Sequence, residues 1–157
     1  MKNYKNKINN ILCNNNISYN FFIEYYFNAG IVLKGWEIKS VRSKNISLNN
    51  SYIFIKNYEV FLKGLNIQPI SYCNIKFNNK KKFKLLLNKY EIEKIYNYIV
   101  IKGYTAVLVS IFIKNHLCKV KIGIAKGKKK YDKRNSLKLN QWKINKLNYL
   151  KKKNKYK

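Results

Sequence analysis

Very few residues in this chain can move a proton or hold a metal. Among 157 residues there is one histidine, His116, one aspartate, Asp132, and five glutamates: Glu24, Glu37, Glu59, Glu91 and Glu93. Glu91 and Glu93 stand two apart on a predicted helix and so point to different sides, which suits capping and helix-dipole roles better than an acid–base pair. His116 falls in a predicted hairpin turn. Cys13, Cys73 and Cys118 are far apart, form no CxxC pair and have a single histidine for company, so zinc-ligand spacing is absent. Free thiols in a reducing cytosol, no metal and no cofactor are expected. No glycine-rich phosphate cradle precedes a Lys-Ser/Thr pair, and no Gly-x-Ser-x-Gly elbow occurs. An enzyme is therefore not expected.

The chemistry on offer is cationic. Thirty-four Lys and Arg face six Asp and Glu, for a formal net charge of +28 and a pI near 10.0. Self-repulsion at that level opposes compaction unless a polyanion relieves it, and nucleic acid is the usual one. A membrane surface would call for a lipidation signal or a basic amphipathic helix. The chain has no lipidation motif, no apolar block suited to a signal peptide and no apolar run of about 20 residues. A soluble cytoplasmic protein is expected. Lys, Asn, Ile and Tyr crowd the whole sequence, so the residues used rarely carry more information: Arg42, Arg134, Asp132, Pro69 and six glycines.

Two basic clusters stand out. Lys80, Lys81, Lys82 and Lys84 fall in a predicted loop. The second runs through Lys126, Lys128, Lys129, Lys130, Lys133 and Arg134. Gly127 frees the backbone there, Tyr131 offers a flat ring for a base, and Arg134 offers a planar fork for phosphate or base edges. Asp132 is placed to orient the neighbouring cations. Cations interleaved with an aromatic ring suit a folded RNA.

The elements that position these residues read mostly as sheet. A flexible Asn/Lys-rich arm is expected over residues 1–18, then a strand at 21–27, a turn at Asn28–Gly30 and a second strand from Ile31. A short helix over 36–42 should face Ile38 and Val41 inward and its polar residues outward. Tyr52–Lys56 and Glu59–Lys63 flank a turn at Asn57-Tyr58. Pro69 marks a sheet edge or strand end, and residues 71–84 read as a loop before the block Leu85-Leu86-Leu87. Asn88, with Glu91 three residues on, caps a helix that Gly103 ends. Two long strands follow, 104–114 and 118–125. In the second, Cys118, Val120, Ile122 and Ile124 alternate with Lys119, Lys121 and Gly123, the period of a half-buried strand. About six hairpin-linked strands predict a mainly β fold with short helices, an OB-like antiparallel barrel over 19–126. Residues 127–157 form a cationic tail whose broad, lysine-interrupted apolar arc predicts disorder in the free protein and helix on an anionic partner.

Four segments together resemble the SsrA-binding protein (small protein B) family: Gly35-Trp36-Glu37-Ile38-Lys39-Ser40-Val41-Arg42, Lys84-Leu85-Leu86-Leu87, Gly103-Tyr104, and Ala125 to Arg134. Order and spacing agree from about residue 14 to the C-terminus. Both arginines and the single aspartate fall inside these motifs. The resemblance implies a monomeric OB-like barrel that binds the tRNA-like domain of transfer-messenger RNA. With elongation factor Tu, it would bring that RNA to stalled ribosomes. It also implies RNA contact by Asn14, Glu37, Lys39, Ser40, Arg42, Lys84, Lys126, Lys128 and Lys129. The tail residues Tyr131, Asp132, Lys133, Arg134, Trp142, Tyr149 and Leu150 would enter the decoding centre and the empty messenger channel. The chain departs from the family pattern at Asn15, where lysine is expected, at Asn28, where an acid is common, at Phe83, in place of arginine, and at Tyr131, where many members carry histidine.

Overall fold

The computed structural model describes residues 9–14, 16–49, 51–70 and 81–155. In chain order these form β1 (Asn9–Cys13), α1 (Ile17–Asn20), β2 (Phe21–Ile31), α2 (Gly35–Arg42), β3 (Ile46–Ser47), β4 (Tyr52–Lys56), β5 (Glu59–Lys63), β6 (Asn66–Ile67), β7 (Lys82–Leu86), α3 (Lys89–Val100), β8 (Thr105–Lys114), β9 (Leu117–Gly127) and α4 (Lys130–Lys155). Every pairing is antiparallel.

The sheet closes on itself. Strands run β8-β4-β5-β7-β2-β9, and β9 pairs back with β8, while β1 adds to a second stretch of β8. The seam between β4 and β8 rests on one register pair, Tyr52 opposite Val107. Two hairpins fix the register through turns with left-handed backbone at both central residues, Asn57-Tyr58 and Asn115-His116. That is the turn whose twist suits a two-residue hairpin. Inside the ring, Ala29, Val60, Leu62, Leu108, Ile111, Val120, Ile122 and Ile124 are essentially inaccessible, and Ile95 of α3 plugs one end.

Helix α3 starts as expected: the Asn88 side chain and Glu91 form a capping box, with the Asn88 N–H donating to Glu91 at 2.9 Å. Gly103 then turns the chain with φ of +66°, a conformation that glycine adopts without steric cost.

The structure corrects several expectations. Residues 21–31 make one uninterrupted strand; Asn28–Gly30 pairs with β9 and β7 instead of turning. The end of the expected loop, Lys82–Lys84, belongs to β7, and Phe83, in the arginine position, is buried there. The arm is not free throughout: Asn9–Cys13 pairs with β8, and Ile17–Asn20 forms a short helix. Lys130–Lys155 is one helix, the form the sequence predicts on an anionic partner. After Gly127 the chain has no glycine or proline to break it, and Asp132, in its first turn, accepts from the Lys129 N–H at 3.2 Å. That contact satisfies one orphan donor and places negative charge at the positive helix end.

Candidate nucleic-acid interface

The outer face of β8, β9 and β2 carries the most developed cationic site. Alternation along β9 sends Val120, Ile122 and Ile124 into the core and Lys119, Lys121, Gly123 and Ala125 outward. Lys121 lies opposite Asn28 of β2 and Ser110 of β8, and Lys119 lies opposite Phe112. The result is a groove of about 420 Å³ lined by Lys114, Lys119, Lys121, Asn28, Ser110 and Phe112, with Cys13 and Val109 at its side. The Lys121 ammonium sits 4.1 Å from the centre of the exposed Tyr26 ring. An aromatic support of this kind limits the lysine's freedom while leaving its three donors available. Asn28 puts a neutral amide, not an acid, among these cations. At the end nearer the tail the face turns apolar, with Val107 and Ala125 buried under Ile17 of α1. There Gly123 is held between β8 and β2: an added Cβ would lie 2.9 Å from Val109 Cγ2 and 3.0 Å from Ile23 Cγ2.

The residues expected to contact RNA do not all sit in one place. Glu37 and Ser40 are buried, although both were expected to face outward. Glu37 accepts from the Lys34 N–H at 2.7 Å and pairs with the Lys81 ammonium. It caps and anchors α2 and is not presented to a partner. Ser40 is fully enclosed, and its hydroxyl has no hydrogen-bond partner among the described residues. With Val41 these residues make the inward edge of α2 at i, i+3 and i+4, which an apolar-only pattern misses. Lys39 and Arg42, on the other side, are exposed. The Arg42 charge reaches Cys118, whose thiol burial pushes up to about 11 against that cation's opposing effect.

Asn14 is committed to its own loop. Its Nδ2 donates to the Leu48 carbonyl at 3.3 Å, and its Oδ1 accepts from the Asn16 N–H at 3.2 Å. It lines a polar cleft of about 530 Å³ with Asn16, Asn20, Asn49, Ser51 and Tyr52. Lys84 is exposed and paired with Glu59. Lys126 and Lys129 are exposed. The Lys128 ammonium instead donates to the Ser18 carbonyl at 2.7 Å and to Ser136 Oγ at 3.3 Å, fastening α4 to α1. Lys133 adds to that joint with a 3.0 Å bond to Asn20 Oδ1.

Asp132 serves the helix start and so does not orient its neighbours' cations, as the sequence suggested; Tyr131 and Arg134 are exposed. Trp142 and Tyr149 are exposed too, along with Leu137, Leu139, Ile144 and Leu147. The Leu150 side chain, Lys80, Cys73 and Asn15 lie outside the described residues.

Five of the six carboxylates have a donor within the chain: Glu24 from Tyr104, Glu37 from Lys34 and Lys81, Glu59 from Lys84, Glu91 from Asn88 and Asp132 from Lys129. These five acids are structural, and the surplus is positive. Lys114, Lys119 and Lys121 were not singled out from the sequence, although the outward alternation of β9 already placed two of them side by side.

Comparison with known proteins supplies the rest. A solved structure described as "tmRNA-SmpB: a journey to the center of the bacterial ribosome" is 31% identical to this chain. The match covers 76% of this chain and 85% of that one, with a TM-score of 0.64. The family model described as SmpB protein matches residues 11–152, so the match spans the ring of strands, the groove and nearly all of α4. The chain belongs to the SmpB protein family.

Proposed function

We propose that this protein is the RNA-binding adaptor of trans-translation, a non-enzymatic carrier of transfer-messenger RNA to stalled ribosomes. Membership of the SmpB family supports it, as does likeness to a structure named for tmRNA-SmpB and the bacterial ribosome. The observation that carries it in this chain is the lysine groove, a built cationic surface on a rigid closed sheet, joined by two residues to a separate cationic helix. That geometry supports a division of labour. The groove and the exposed Lys39, Arg42, Lys84, Lys126 and Lys129 hold the tRNA-like domain. Tyr131, Lys133 and Arg134, with Trp142, Tyr149 and Leu150 further along, enter the decoding centre and the messenger channel. Elongation factor Tu joins the same RNA during delivery, and the protein acts as a monomer. Among the described residues no helix is long and apolar enough to cross a membrane.

The test is selectivity. Binding of the full chain to transfer-messenger RNA and to an elongator tRNA is measured at matched salt, because the electrostatic part alone cannot tell them apart. Tighter binding to transfer-messenger RNA is expected. Equal affinities sink the proposal.

A further inference from the structure

A second surface has aromatic rings that neither the core nor the groove uses. Strand β2 carries a bulge between Ile23 and Tyr25, where its register against β9 shifts. As a result Phe22, opposite Lys126, and Tyr25, opposite Ile124, both stand on the side of β2 that faces the core further along the strand. At this end the ring no longer covers that side. Phe22 is left 51% exposed and Tyr25 47% exposed. Phe22 belongs to neither buried cluster.

Cations border both rings. The Lys128 ammonium lies 4.6 Å from the Phe22 ring centre, and Lys126 is its register neighbour. Tyr25 packs on Tyr98 of α3 at 4.9 Å, and Lys102 lies 4.6 Å over the Tyr98 ring. Next to them a cleft of about 270 Å³ is lined by Lys94, Asn97, Tyr98 and Lys102, two ammonium groups and an amide around a ring. The carboxylate of this patch, Glu24, is engaged by the Tyr104 hydroxyl at 2.7 Å.

We propose that the Phe22–Tyr25 edge with the Lys94–Lys102 cleft is a binding site for unpaired RNA, the rings stacking on bases and the lysines holding phosphates. Two flat rings about 10 Å apart along a strand, flanked by cations and with Glu24 engaged by Tyr104, match a chain of alternating π-faces and negative charges. Stacking tolerates any base, so the site has little sequence preference. It lies on the other side of β2 from Tyr26 and Lys121, so it is separate from the groove. The inference does not rest on the transfer-messenger RNA reading.

The experiment compares the full chain with its Phe22→Leu and Tyr25→Leu variants. The probes are a fluorescent twelve-residue oligoadenylate, an abasic ribose-phosphate strand of the same length, and polyglutamate. Leucine keeps the surface apolar but removes the π-face, and circular dichroism checks the fold. Each ring variant should bind oligoadenylate about tenfold more weakly with an unchanged salt slope, and bind the abasic strand like the parent protein. Parent-like oligoadenylate binding by Phe22→Leu overturns the proposal. So does an equal loss toward the abasic strand, and so does a matching loss toward polyglutamate, which would mark an acidic-protein surface. If transfer-messenger RNA selectivity fails while these results hold, only the functional reading falls.

Discussion

The groove on β8 and β9 and the helix α4 are both lysine-rich, yet they present their charge in different ways. In the groove the lysines rise from a sheet whose other side is packed core, and Lys121 rests on a tyrosine ring. Their positions are set before any partner arrives, so binding there orders little new structure. Among the described residues of α4 the first turns are the ones fastened, by Lys128, Lys133 and Ser136 against α1 and by Asp132 at the helix start. Beyond them Leu137, Leu139, Trp142, Ile144, Leu147 and Tyr149 all face solvent. Among the described residues this stretch of α4 has no packed face, and it gains most of its stability from whatever receives it. One region is prepared for its ligand; the other is completed by it.

That contrast breaks most visibly on truncation. Removing residues 130–157 should abolish peptide tagging on stalled ribosomes while transfer-messenger RNA affinity changes by less than about threefold; a large loss of affinity would make the helix part of the RNA clamp. Next in size is Glu37→Ala. It strips the cap of α2 and leaves Lys81 without its partner, at a cost of about 2–3 kcal/mol seen as a lower melting temperature. RNA affinity at a temperature where the variant is folded should hold. A selective loss of affinity in a fully stable variant would return Glu37 to the interface.

Smaller effects sharpen the comparison. Joint Lys119→Gln and Lys121→Gln changes should reduce the slope of log K against log salt by about 2 units or less for transfer-messenger RNA. Arg134→Ala should leave that slope alone yet impair tagging. A slope change from Arg134 alone would erase the distinction between the two regions. The last concerns Cys118. Its thiol, pushed up to about 11 by burial, stays protonated at neutral pH, so alkylation should reach half its maximal rate only near pH 11. Because the folded value is the higher one, the associated stability is intact below the unfolded value of 9.0 and fades as pH rises through about 11.

Much of the fold was legible because its local signals agreed. The two hairpins, the Asn88–Glu91 cap, Gly103 and the alternation of β9 each have a short-range physical cause. What could not be read depends on distant partners. Asn28-Ala29-Gly30 has the composition of a turn but is held straight by β9 and β7. Glu37 and Ser40 have the polarity of surface residues but face inward, where Glu37 meets the Lys34 amide and Lys81. Of the motif residues, Glu37, Ser40, Lys128 and Asp132 hold the scaffold, and Lys39, Arg42, Lys126 and Arg134 remain available to a partner. The groove lysines were missed because, in a chain this rich in lysine, charge alone distinguishes nothing; only the rings and register around them do.

Only Lys128 and Lys129 separate the last strand from α4, and Lys128 is itself fastened at both ends of its reach. The junction therefore transmits angle. Twenty-six helical residues span about 39 Å at 1.5 Å each. A tilt of about 10° at the junction would then sweep the far tip through about 7 Å, comparable to the width of a nucleotide. The helix works as a pointer, and the pose of the ring on its RNA determines which part of a channel that pointer reaches.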